Sequence, residues 1–313
     1  MSRITFRASA YEVKVPATSA NLGPGFDCFA LALEKRDRYI AQVIDEKELD
    51  LDVVGEGADE VPRDEKNLLV KSIYKGWEFL GLTKKEYPGL ALRALNNLPH
   101  GRGLGSSASA IIGGLILARS LVVGGVDRMN DNDVLTLATE MEGHPDNVAA
   151  ALHGGAVISW SGNEFADAIK LEVSPRITAV AFIASNHVPT SKARKMLPES
   201  IPHQDAVKNS IHTALLTQAL STRPDLLLTA TEDFLHQSYR EAAMPKSFAL
   251  MQKLRAAGVP AFISGAGPTV LALLVDADIH HDDEMGDLVR AAGTGFTVEN
   301  IDISPTGYQV SNL

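Results

Sequence analysis

The stretch Pro99-His100-Gly101-Arg102-Gly103-Leu104-Gly105-Ser106-Ser107-Ala108-Ser109-Ala110 restricts this chain more than any other. Its three alternating glycines free the backbone to approach a ligand closely. Two serines then open an apolar run whose spacing predicts a helix from about Ser107 to Val122. A helix start carries unpaired N–H groups and the positive end of the helix dipole, which together favour phosphate. The hydroxyl of Ser106 or Ser107 suits the metal of a metal–nucleotide complex. The segment is not a P-loop, because no Gly-Lys-Ser/Thr follows, and it does not fit the dinucleotide-binding fingerprint. Taken alone, it also fits a strand-to-helix turn with no ligand.

Three further segments concentrate polar groups and glycines. Pro16-Ala17-Thr18-Ser19-Ala20-Asn21-Leu22-Gly23-Pro24-Gly25-Phe26-Asp27 follows a strand expected over Tyr11–Pro16 and reads as a loop. Glu142-Gly143-His144-Pro145-Asp146-Asn147 crowds titratable side chains between two expected helices, Asn132–Glu142 and Asn147–Leu152. In isolation it could be only an Asp cap with a proline before it. Ser264-Gly265-Ala266-Gly267-Pro268-Thr269 lies between two apolar strands.

The spacing also predicts strands over Arg38–Ile44, Leu49–Val54 and Leu90–Leu95, and a helix over Asn67–Leu80. Beyond the more polar Ser161–Pro175 segment comes an apolar strand, Ile177–Ala184. Helices follow over Ser191–Met196, Gln204–Leu220, Asp225–Ala243 and Ser247–Ala257. The chain then reads as strands at Ala261–Ser264 and Val270–Val275, a helix over Asp283–Ala292 and a strand over Gly295–Ile303. The second half is thus β–(α)n–β–β–α–β, similar to a split βαβ unit. Two domains are expected, residues 1–162 and 163–313.

Composition removes other classes. With 29 Lys+Arg against 39 Asp+Glu in 313 residues, the net charge is −10, which argues against sequence-independent nucleic-acid binding. The single cysteine, Cys28, cannot form an internal disulfide, so a reducing compartment is the default. The longest uncharged stretches, Gly103–Ala118 and Pro260–Val275, are shorter than the ~20 residues of a membrane helix. A cytoplasmic protein with no membrane or nucleic-acid partner is expected.

In their order, VPATSANLGPGFD, PHGRGLGSSASA, EGHPDNVAAALHGG and SGAGPTVLAL resemble the GHMP superfamily of small-molecule kinases, over essentially the whole chain. The EGHPDN segment and Pro189–Pro198 resemble its homoserine branch. Two departures are conservative in size: Cys28-Phe29-Ala30 after the first motif, and Ser109 in place of an alanine. The resemblance implies an α+β fold, with an N-terminal α/β domain carrying the glycine-rich phosphate loop and a C-terminal ferredoxin-like domain. It implies transfer of the ATP γ-phosphate to the side-chain hydroxyl of L-homoserine, with Mg2+, in threonine biosynthesis. A homodimer stays open.

By the same resemblance, Pro99, His100, Gly101, Arg102, Gly103, Leu104, Gly105, Ser106, Ser107, Ala108 and Ser109 wrap the triphosphate. Ser107 and Glu142, with Glu140 as the alternative, hold the metal. Arg194 and Arg240 anchor the substrate carboxylate, since a guanidinium pairs bidentately with it. Asn21, Asp27, His144, Asn147 and Thr190 line the amino-acid pocket. Asn147 orients the attacking hydroxyl, and Asp146 is the available base if one is used. The rivals are a kinase for mevalonate, shikimate or a sugar, and a non-catalytic ligand-binding homologue.

Overall fold

The computed structural model describes residues 4–276 and 284–313. The first sheet is built from β1 (Tyr11–Asn21), β2 (Gly25–Ile44), β3 (Leu49–Gly55), β4 (Gly89–Asn96), β5 (Ala156–Ser161), β6 (Ala166–Leu171) and β11 (Gln309–Asn312). Its order is β11-β1-β2-β4-β3, and β5 joins β2 and carries β6. Only the β3–β4 pairing is parallel among the described pairs of this sheet. One face is covered by α1 (Leu68–Phe79), α2 (Ser106–Ser120), α4 (Asp131–Glu142) and α5 (Asp146–His153); a short α3 (Gly125–Arg128) precedes α4.

The second sheet has the order β10-β7-β9-β8, from β7 (Ile177–Ile183), β8 (Ala261–Ile263), β9 (Val270–Val275) and β10 (Thr297–Ile301). All its pairings are antiparallel. Numbered within the unit, the order is 4-1-3-2, that of a ferredoxin-like domain. Its helices are α6 (Thr190–Arg194), α7 (His203–Ser221), α8 (Leu227–Ala230), α9 (Pro245–Ala256) and α10 (Glu284–Ala292). The expected start of the last helix, Asp283, lies outside the described residues.

Strand alternation divides the interior into three cores. Ala30 and Ala32 of β2 face α1, α2, α4 and α5, with Ile73, Trp77, Ile111 and Leu115. Phe29, Leu31 and Leu33 face the other way, onto Ala179, Ala181, Leu271 and Leu273 of the second sheet and Leu216 and Leu220 of α7. Val180, Phe182 and Ala272 pack outward against Leu250, Leu254 and Val289. In β1 the pairing shifts between Pro16 and Ala17. That irregularity moves Ala17 into the middle core although Val13 and Val15 belong to the first. The two halves therefore share a wide apolar contact, and the loops at its rim meet.

Several expectations change. The strand expected to stop at Pro16 runs to Asn21, and β2 begins at Gly25, so the first motif is a hairpin closed by a tight turn rather than a loop. The helix expected over Asp225–Ala243 breaks into a 3₁₀ turn at Pro224–Leu226, the four-residue α8 and a second 3₁₀ segment at Ser238–Ala243. The Asp233 carboxylate accepts the N–H groups of Leu235, His236 and Gln237, starting a new turn where a helix would have continued. The polar segment after Ser161 contains β6, paired with β5 from Ala156 to Leu171, so the expected boundary at 162/163 falls inside a hairpin. The last strand, β11, returns to β1 of the first sheet.

Candidate active site

The rim where the halves meet is a cleft of about 600 Å³. Its floor is the glycine-rich segment. Gly103 and Gly105 adopt left-handed backbone, at φ 83° and 72°. A β-carbon at Gly103 would lie 2.3 Å from the Ser264 carbonyl oxygen, and one at Gly105 1.9 Å from Thr18 Oγ1. Only glycine permits both the backbone shape and these approaches. α2 begins at Ser106 behind Gly105, and no side chain caps it. Its first N–H groups are therefore free to receive an anion.

The second sheet grips this floor from above. Ser264 Oγ donates to the Gly103 carbonyl at 2.5 Å, and Thr269 N–H donates to Arg102 O at 3.2 Å. Gly265 N–H donates to Ala20 O at 3.0 Å, so the same turn also holds the first hairpin.

On one wall, Ser107 Oγ donates to Glu142 Oε1 at 2.6 Å. Burial pushes the Glu142 carboxyl above its ordinary value, and the Ser107 hydrogen bond and His144 only partly oppose this. Glu140, two residues earlier, is exposed and pairs with Lys75, away from the cleft. The αL cap at Gly143 ends α4 and turns His144 back toward α5. His144 Nδ1 donates to Asp146 Oδ1 at 2.6 Å, which also accepts the Asn147 N–H at 2.6 Å. Burial works against the charged imidazole, but Asp146 and Glu142 outweigh it and hold His144 above its ordinary value. Thr18 Oγ1 donates to Asn147 Oδ1 at 2.7 Å, fixing which way the amide faces.

The opposite wall supplies two arginines and an acid. Asp27, at φ 57°, accepts both arms of Arg194, at 2.6 and 2.9 Å. Asn21 Nδ2 donates to Gly265 O at 2.9 Å, and its Oδ1 accepts the Asp27 N–H at 3.1 Å. Arg240 is 2% exposed, and among the described residues no carboxylate pairs with it. Its Nη1 donates to Gly265 O at 3.2 Å, and its Nε is buried without a partner. Burial, then the neighbouring Arg194, pull it down to about 10, so it remains cationic at neutral pH. Both guanidinium groups stand over the Phe26 ring, at 5.5 and 5.3 Å.

The structure thus brings Asn21, Asp27, Gly101, Gly103, Gly105, Ser106, Ser107, Glu142, His144, Asp146, Asn147, Thr190, Arg194 and Arg240 to one cleft. His100 lines an adjoining pocket. Leu104, Ala108 and Ser109 point into the interior instead. Ser109 Oγ lies 3.0 Å from Tyr39 Oη, which donates to the buried Asp37. Sequence reasoning missed Thr18 and Phe26 as individual residues, although both stand inside the first motif. It also missed the adjoining pocket, of about 760 Å³, formed by Tyr39, Val53, Pro62, Asn67, Leu69 and Asn96 with the start of α2. Those residues come from separate segments and carry no common signal.

Among the described residues, no helix is long and apolar enough to cross a membrane. Residues 67–155 match the family model for the GHMP kinase N-terminal domain, and residues 213–292 that for the GHMP kinase C-terminal domain. The chain is 49% identical to the homoserine kinase of Streptomyces coelicolor, over 100% of this chain and 98% of that one. It is 42% identical to the homoserine kinase of Mycolicibacterium smegmatis, covering 92% and 91%. The crystal structure of homoserine kinase from Cytophaga hutchinsonii superposes with a TM-score of 0.83 at 26% identity, covering 99% and 100%. The L. major mevalonate kinase shares the fold at 15% identity, with a TM-score of 0.63, covering 98% of this chain and 100% of that one. The chain belongs to the GHMP kinase family, and within it to the homoserine kinases.

Proposed function

We infer that this cleft transfers the γ-phosphoryl group of ATP to the side-chain hydroxyl of L-homoserine, giving O-phospho-L-homoserine. The single observation that carries the acceptor assignment is Arg240, a buried cation facing the cleft with no carboxylate of its own among the described residues. A substrate carboxylate supplies the missing partner. The nearby Asp27 suits the substrate ammonium. A neutral sugar would leave the buried Arg240 charge unanswered, whereas Asp27 is already paired with Arg194, so Arg240 is what favours a carboxylate-bearing acceptor.

The triphosphate fits over Gly101–Ser107 at the uncapped start of α2, with the nucleoside in the adjoining pocket beside Tyr39 and Asn96. Ser107 and Glu142 offer a hydroxyl and a buried carboxylate oxygen side by side, a hard-oxygen set suited to Mg2+. When bound there, the ion neutralises charge on the transferring phosphate. The chain's own groups then align the reactants. Arg240 and Arg194 hold the carboxylate end, and the amide of Asn147, set by Thr18, faces the hydroxyl. His144 and the Asn147 N–H both occupy one oxygen of Asp146, leaving the other for the hydroxyl proton. Phosphoryl transfer has a loose transition state, so alignment and charge neutralisation carry most of the acceleration.

The experiment is ADP release by the purified protein with a panel of acceptors. Turnover with L-homoserine well above mevalonate and shikimate is expected; the reverse order overturns the assignment.

A further inference from the structure

We propose that His236, held in its neutral Nε2–H tautomer, is a positioning residue that aims Arg240 at the acceptor carboxylate. The proposal rests on the homoserine reading above and extends it to a residue outside the cleft lining.

His236 is 0% exposed, in the turn that replaces the expected helix. Its Nε2 lies 2.8 Å from the Gly23 carbonyl oxygen, and its Nδ1 lies 3.2 Å from Arg240 Nη1. Each neighbour has a single hydrogen-bonding role. A carbonyl oxygen only accepts, so Nε2 must carry the proton. A guanidinium only donates, so Nδ1 must present its lone pair. No other protonation state satisfies both contacts; an imidazolium would set N–H against N–H and cation against cation. Burial, reinforced by Arg240, holds His236 below its ordinary value and outweighs Asp233. Asp233 Oδ1 stands 3.6 Å from Nε2, beyond hydrogen-bond length, and its oxygens already accept three backbone N–H groups. The ring also lies 5.1 Å from that of Phe26, on which Arg240 stacks.

The consequence is geometric. Arg240 Nη1 is tied back by His236 and Gly265 O, which fixes the plane of the guanidinium and leaves the rest of it uncommitted. Through Gly23 the same imidazole joins the turn of the first hairpin, whose far side carries Asp27. His236 therefore links the cation for the substrate's carboxylate to the turn that presents the acid for its ammonium.

The test compares His236→Phe, His236→Asn and His236→Gln in steady-state kinetics against both substrates. Asn places its carbonyl oxygen where Nδ1 stands, and Gln places its amide nitrogen near Nε2. Phe is expected to raise the homoserine KM about tenfold or more, the scale of one hydrogen bond to a charged group, with the ATP KM unchanged. Asn is expected to recover most of that loss and Gln little. An unchanged homoserine KM in the Phe variant, or equal values for all three variants, overturns the proposal. Should the Phe variant not fold, nitrogen-15 NMR of the wild-type histidines decides. One buried ring with a protonated Nε2 and a bare Nδ1, still neutral where the exposed histidines have become charged, is expected, and a protonated Nδ1 overturns it. Failure of the wild-type protein to phosphorylate homoserine would instead overturn the substrate assignment, which the NMR signature does not depend on.

Discussion

Asp27 and Arg194 close on each other as a two-point ion pair, 2.6 and 2.9 Å, across the mouth of the cleft. One comes from the first hairpin and the other from α6 of the second half. These are the groups that would meet opposite ends of an amino-acid substrate. Without a zwitterion between them they satisfy one another. Binding then exchanges one ion pair for two, which keeps the charge balanced and disfavours ligands bearing only one of the two charges.

Arg194→Ala is therefore expected to raise the homoserine KM by less than Arg240→Ala does. The Arg194 side chain is 36% exposed, so solvent screens its contribution. Arg240 is 2% exposed, and its loss should fall in the range of about 2–5 kcal/mol for a desolvated charge pair. Arg194→Lys should recover only part, since lysine lacks the planar fork. Steady-state kinetics against both substrates checks this, with the ATP KM expected to stay near the wild-type value. Equal effects of the two alanine variants would count against the different burial of their roles.

How much of this was legible beforehand depended on local chemistry. The four glycine- and polar-rich segments stand out because each needs residues that ordinary elements avoid. Their convergence, from Asn21 to Gly267, came from their resemblance to a family, since no spacing along the chain brings Arg240 to Asp27. The element order from Ile177 onward was readable because β7, β8 and β9 are largely apolar on both faces. Strand β11 was not: Gln309, Val310, Ser311 and Asn312 are all exposed and show no alternation. Strand β6 hid in a polar segment, where Ala166 is buried but Ile169 and Lys170 are exposed. The end of β1 and the start of β2, as far as Asp27, were read as a loop, because the glycines and polar residues around Asn21 and Asp27 conceal a hairpin that runs through them. Arg240 was expected on a regular helix; its burial in a 3₁₀ segment depends on Asp233 recapturing three N–H groups.

Glu142→Gln is expected to lower kcat by on the order of 10²-fold, the usual cost of removing one preorganised electrostatic contact, and to raise the Mg2+ concentration needed for half-maximal rate. The same change should stabilise the ligand-free protein. Burial raises the folded-state pKa of Glu142, so ionisation opposes folding. The stability it contributes is complete below its unfolded pKa and is lost as pH rises through the folded value. Glutamine removes that loss. The variant's Tm should exceed wild type at pH 8, and the gap should shrink as pH falls through the carboxylate range. A Tm below wild type at pH 8 would contradict the assignment of Glu142 as a strained, function-bearing acid.

Cys28 stands beside the cleft but should be inert. Burial, then the Asp146 and Asp27 charges, push its thiol up to about 11 from 9.0. Two units leave about 100-fold less thiolate at pH 8, and thiolate is the reactive form. Timed alkylation with iodoacetamide, read by mass, should therefore run at least that much slower than with a free thiol. Rapid labelling accompanied by loss of activity would mean that the middle core opens in solution.

Asp37 anchors the entrance of the phosphate loop, and its variants should mirror the arginine series. Its Oδ1 accepts the N–H groups of Asn97 at 2.7 Å and Leu98 at 3.0 Å, immediately before Pro99. Its Oδ2 accepts the Tyr39 hydroxyl, whose oxygen lies 3.0 Å from Ser109 Oγ on α2. One buried carboxylate thus ties the residues leading into the loop to the helix leading out. Ser109→Ala leaves Tyr39 with Asp37, so it should cost about 1 kcal/mol and little activity. Asp37→Asn keeps an acceptor for the two N–H groups and should be mild. Asp37→Ala strands the buried Leu98 N–H at about 1–3 kcal/mol and removes the acceptor of the Asn97 N–H and the Tyr39 hydroxyl, which can turn to solvent and to Ser109 Oγ respectively, so it should lower the urea midpoint. In whatever fraction folds, the ATP KM should rise while the homoserine KM stays put, because Asp37 touches the donor side alone. A rise in the homoserine KM of equal size would mean that the two sides of the cleft are not held independently, and the division of labour drawn from their hydrogen bonds would have to be abandoned.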